Sequence, residues 1–149
     1  MLLGEEAARV RSRFISDYVD VDSEWYKSRI AELKRYRDGE FYSGYLWEVV
    51  PNYTRISKEE AAVLAQHLGP SYALWDLHSA EKIVVPDYWK FARDAVLHGA
   101  AADLYDARGI LPKDLYVVRE SYEVCLILTH EDEPDGVEII LEARPMQHM

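Results

Sequence analysis

The stretch from Leu115 to Ala143, LYVVRESYEVCLILTHEDEPDGVEIILEA, decides the fold. It divides into three apolar segments separated by polar, turn-prone residues. Leu115 to Arg119 reads as a strand. Tyr122 to Thr129 reads as a second strand, apolar on both faces from Val124 to Leu128, which marks a central position in a sheet. Val137 to Ala143 alternates Val137, Ile139 and Leu141 against Glu138 and Glu142, the period of a strand with one face in water. Asp135-Gly136 supplies turn chemistry just before it. Three strands in succession form an antiparallel meander.

Upstream, the chain punctuates itself clearly. Ser57-Lys-Glu-Glu60 is a capping box, in which Ser57 accepts a backbone N–H and Glu60 reaches back. The helix it opens carries Ala61, Val63, Leu64 and Leu68, and Gly69-Pro70 closes it. Tyr42 to Val50 is rich in aromatic and β-branched residues and stops at Pro51, which predicts a strand. Tyr72 to Leu77 and Lys82 to Val85 predict a hairpin around His78-Ser-Ala-Glu81. Pro86-Asp87 then starts a helix that continues towards Gly109, with a break at His98-Gly99.

At the N-terminus, Glu5 to Tyr18 places Ala8, Val10, Phe14, Ile15 and Tyr18 at helical spacings. Asp22 or Ser23 caps a second helix that bears Trp25, Tyr26, Ile30, Leu33 and Tyr36 and ends at Gly39. The expected architecture is therefore α+β: a mainly antiparallel sheet of about six strands, helices packed on one side, and an N-terminal helical pair. We expect a single domain over 1–149, helical over 1–40 and mixed over 41–149.

Composition narrows the functional classes. The 149 residues carry 17 basic and 27 acidic side chains, a net charge of −10. Most of this lies beyond residue 40, and Glu120 to Glu142 holds eight acids with no Lys or Arg. Such a surface repels phosphates and attracts cations, so nucleic-acid binding is not expected. Acids on outer faces also serve solubility alone. No apolar run approaches the roughly 18 residues of a membrane span. The start, MLLGEEAARVR, lacks a basic n-region and an apolar core, so no secretory signal is expected. The single Cys125 allows no intramolecular disulfide and no multi-cysteine zinc site, and the expected compartment is the cytoplasm.

Chemistry-bearing motifs are sparse. There is no Gly-rich phosphate loop, G-x-S-x-G elbow or H-E-x-x-H pair. The densest polar cluster is Thr129-His130-Glu131-Asp132-Glu133. Histidine beside carboxylates suits general base chemistry, because it titrates near neutrality. Consecutive strand residues, however, face opposite ways, so His130 and Glu131 would not chelate together. Cys125 among apolar neighbours reads as inert packing. Neither a cofactor nor a metal is expected. Eleven tyrosines and four tryptophans are many for this length, and most read as core or boundary residues.

Three stretches, Gly44-Tyr-Leu-Trp47, Asp114-Leu-Tyr-Val-Val118 and Thr129-His-Glu131, together resemble a bacterial family of small cytoplasmic domains of unknown function. The resemblance spans residues 41–133 and implies a small α+β domain of bacterial origin. It implies no chemistry.

Two functional expectations follow. The first is a non-enzymatic binding domain that holds a cationic protein on its acidic C-terminal surface, through Glu123, Glu131, Asp132, Glu133, Asp135 and Glu138, with exposed tyrosines as anchors. An immunity protein that neutralises a basic toxin is its concrete form. The second is a small enzyme or ligand-binding domain with His130 and Glu131 at a pocket mouth, joined by a distant group such as His78 or Asp76.

Overall fold

The computed structural model describes residues 1–24, 46–75, 95–111, 113–132 and 138–146. In chain order the elements are α1 (Gly4–Tyr18), β1 (Tyr53–Ile56), α2 (Lys58–Leu68), β2 (Pro70–Trp75), β3 (Leu97–Ala100), α3 (Ala101–Asp106), β4 (Leu115–Arg119), β5 (Cys125–Asp132) and β6 (Glu138–Ala143). Short 3-10 turns occupy Leu46–Val49 and Ala107–Ile110. The strands form one antiparallel sheet in the order β1-β6-β5-β4-β2-β3. The fold is α+β, as the C-terminal meander predicts.

The central strands are covered on both faces. Tyr116, Val118, Cys125, Ile127, Leu141 and Ala143 pack with Ala7, Val10, Phe14 and Tyr18 of α1. The alternate residues Leu115, Val117, Leu126, Leu128 and Ile140 pack with Ala61, Ala65 and Leu68 of α2 and with Leu104 and Tyr105 of α3. This departs from the expected layering, in which all helices lie on one side. The physical reason is already in β5: both parities of Cys125 to Leu128 are apolar, so each face needs its own cover. Burying one large apolar side chain contributes about 1.5–3 kcal/mol, so two half-covered faces would forfeit much of the stability.

On the α1 face, Phe14 stacks on Tyr18 at 5.1 Å and meets Tyr116 at 5.2 Å. The inward stripe of α1 uses Ala7, with Ala8 exposed, because Ala7, Val10, Phe14 and Tyr18 share one helical side.

Two local expectations are corrected. Leu46–Val49 is a 3-10 turn and not part of a strand. Its backbone bonds go elsewhere than to a neighbouring strand: the Trp47 N–H donates to the Tyr116 hydroxyl at 2.9 Å, and the Val49 carbonyl accepts the Asp20 N–H at 2.8 Å. The aromatic and β-branched content there serves packing, with Leu46 and Val49 buried three residues apart, the period of a 3-10 turn. The strand near this point is β1, beyond Pro51. The expected helix break at His98-Gly99 is a whole strand, β3, which pairs with β2 from Leu97 to Ala100. β2 lies between β4 and β3, pairing with β3 from Pro70 to Ala73. Lys82 to Val85, the start of the helix at Pro86 and the second N-terminal helix beyond Glu24 lie outside the described residues. Among the described residues no helix is long and apolar enough to cross a membrane.

Candidate binding groove

The capping box read from the sequence is present and sets where α2 begins. Ser57 Oγ accepts the Glu60 N–H and Glu60 Oε1 accepts the Ser57 N–H, each at 3.1 Å. Gly69 ends the helix at φ +68, a left-handed conformation that favours glycine, and the chain turns into β2. Because β1 runs straight into α2 through Ser57, the helix lies over the β1–β6 end of the sheet.

Register determines what faces it. Ile56 pairs with Ile140, and Thr54 with Glu142. Directly opposed residues on neighbouring strands share a face, and Ile140 belongs to the core beneath α2. Glu142 is therefore on the α2 side as well. An open groove of about 430 Å³ lies there, lined by Ile56, Glu59, Glu60, Val63, Leu64, His67 and Glu142. This volume falls within the usual ligand-pocket range of roughly 300–1,000 Å³.

Its lining combines the apolar Ile56, Val63 and Leu64 with the acidic Glu59, Glu60 and Glu142. Val63 is 56% exposed although the helical pattern predicts it inside, and Leu64 is half-buried. Glu60 is held by the cap through one oxygen. Glu142 accepts Arg144 Nη2 on Oε1 at 3.0 Å. His67 Nδ1 lies 2.8 Å from the Val63 carbonyl, which can only accept, so that nitrogen carries the proton.

Among the described residues, those anticipated as a binding face fall at the two ends of β5. Glu123 sits in the turn between β4 and β5, 67% exposed and 3.9 Å from Arg119. Glu131 and Asp132 are at the far end of β5, where Asp132 registers with Glu138 of β6. At about 3.3 Å per residue, roughly 25 Å of strand separates Glu123 from Glu131. Glu133 and Asp135 lie outside the described residues, as do Asp76 and His78. His130 and Glu131 are consecutive positions within β5, which continues past the predicted loop entry to Asp132. Among the described residues no group of three or more His, Cys, Asp or Glu is placed to hold a metal ion.

A second exposed feature lies on the α1 face. His98 stacks on Tyr72 at 4.7 Å and meets Glu120 Oε2 at 2.8 Å. Tyr72 adjoins Tyr122 at 5.9 Å, and the Arg13 guanidinium lies 4.6 Å over the Tyr122 ring. Tyr122 has φ +64, a strained value for a tyrosine. Its contacts hold it there, including the Tyr18 hydroxyl, which donates to its carbonyl at 2.9 Å.

Two of the three short stretches singled out in the sequence meet in the fold. The Trp47 indole N–H donates to the buried Asp114 carboxylate at 3.0 Å, alongside the bond from Trp47 N–H to Tyr116. This clamp ties the 3-10 turn to β4 and is structural in character. Compared with protein-family models, with curated proteins and with solved structures, the chain has no match.

Glu59, Glu60, Val63 and His67 escaped the sequence reading as site residues. The capping box was visible, but only the β1–β6 register shows that its acids share a groove with Glu142.

Proposed function

We propose that this protein is a non-enzymatic binding domain for a cationic protein, and that the groove between α2 and the β1–β6 end of the sheet is its contact site. One observation carries the reading: Glu59, Glu60 and Glu142 line the same open groove as the apolar side chains Ile56, Val63 and Leu64. Apolar area contributes affinity, and the carboxylates select the sign of the partner. The acids outside the groove, Glu123, Glu131, Asp132, Glu133, Asp135 and Glu138, add to the field that steers a basic partner inwards. A basic toxin neutralised by this domain is the concrete form, in a small bacterial cytoplasmic protein of the kind the three short stretches resemble.

The test is affinity capture from host lysate with the full chain and with a Glu59→Gln/Glu142→Gln variant, each at low and high salt. The wild-type chain should retain a basic protein at low salt and release it at high salt, and the variant should fail to retain it. Equal retention by both forms, or no basic protein on the wild-type chain at low salt, overturns the proposal.

A further inference from the structure

We infer that the groove receives an arginine side chain presented by a segment of the basic partner, and that Arg144 is its internal competitor. This rests on the binding role proposed above and names the chemistry of what enters.

The apolar and the acidic lining residues suit different parts of one side chain. Ile56, Val63 and Leu64 can cover an aliphatic stem, and Glu59 and Glu142 can meet a charged head. Arginine fits better than lysine, because its planar fork matches carboxylate geometry and sheds water more readily. The N-terminus of α2 carries a partial positive charge of about half a unit, which opposes a cation. Glu59 and Glu60, in the first turn, outweigh it with two formal negative charges.

Glu142 already binds a guanidinium. Arg144 Nη2 donates to its Oε1 at 3.0 Å. The Arg144 backbone is fixed, since its N–H donates to the Asn52 carbonyl at 2.9 Å. The Arg144 side chain, by contrast, is 59% exposed and can swing into water. An incoming arginine therefore takes over a carboxylate that an intramolecular arginine occupies in the free protein. Arg144 keeps the acidic lining partly neutralised until a partner arrives, which lowers affinity for stray cations.

The experiment uses the isotope-labelled full chain, titrated with acetyl-Leu-Arg-Leu-amide and followed through its amide resonances. Shifts should concentrate at Ile56, Val63, Leu64 and His67. Arg144→Gln should tighten peptide binding about two- to fivefold, the range set by an exposed ion pair. Glu142→Gln should weaken binding, and in that background Arg144→Gln should have no further effect. The idea is overturned if Arg144→Gln weakens binding or leaves it unchanged, if norleucine in place of the peptide arginine binds equally well, if spermidine binds as tightly as the peptide, or if the shifts lie elsewhere. Lysate capture separates the two ideas. Should Glu59→Gln/Glu142→Gln abolish capture while Arg144→Gln brings no gain, the competitor falls and the binding role stands. Should neither substitution alter capture, both fall.

Discussion

Burial raises the Cys125 thiol well above its ordinary range, and burial, helped by nearby Cys125 and Asp17, does the same to the Tyr18 phenol. Both groups are neutral in the folded protein and ionise more easily in the unfolded chain. Their contribution to stability is fully present below the unfolded values, about 8.5 for the thiol and about 10 for the phenol, and is lost as pH rises beyond them. Urea midpoints should therefore hold between pH 7 and 8, then fall with an onset near the thiol value. Cys125→Ala should remove the first part of that fall, and the native thiol should resist alkylation at neutral pH. A flat alkaline profile, or immediate labelling, would contradict this. That Cys125 is inert was visible in its run of apolar neighbours. The strain at Tyr122 was not, because nothing in Arg119-Glu-Ser-Tyr-Glu123 announces a left-handed tyrosine. Its cost is offset by Tyr72, Arg13 and the Tyr18 hydroxyl, which arrive from other elements.

At the scale of elements, α2 links stability to the groove. The Ser57 cap satisfies orphan donors at the start of the helix, and Glu60 is both capping residue and groove wall. Ser57→Ala should cost about 1 kcal/mol, which for a chain of this size lowers the melting temperature by about 3 °C. Calorimetry checks this, and an unchanged melting temperature would mean that the cap contributes nothing. The helix itself was readable because its signals are local: Ser57 and Glu60 at one end, Gly69 at the other. The meander was readable for the same reason, each strand carrying its own period. Leu46–Val49 and Leu97–Ala100 were misread because their partners are distant. Trp47 makes a turn since Tyr116 and Asp114 take its donors, and Leu97–Ala100 is a strand since β2 offers it an open edge. Propensity is a weak guide wherever tertiary bonds compete for the backbone.

Over the whole molecule, the arrangement of charge matters more than its total. The run of acids from Glu120 to Glu142 suggests one acidic face, but β5 carries Glu123 and Glu131 to opposite ends. Linear charge density is legible in sequence, whereas its distribution depends on which ends of which strands the turns occupy. Glu142 registers with Leu126, so roughly 16 Å of strand separates the groove acid from Glu131, about twice the Debye length of about 8 Å at physiological salt. Glu131 and the groove acids should thus act on a partner as separate centres there, yet merge into one field as salt is withdrawn. Glu131→Gln/Asp132→Asn should leave association with a basic partner unchanged at physiological salt and slow it at low salt. Glu59→Gln/Glu142→Gln should slow it at both, and should also speed dissociation, because these two acids line the groove together with the apolar side chains where contact persists after encounter. Stopped-flow or surface-based kinetics across a salt series would read both effects. If these strand-end acids proved as costly as the groove acids at physiological salt, the contact face would have to extend to the far end of β5, where Asp132 registers with Glu138.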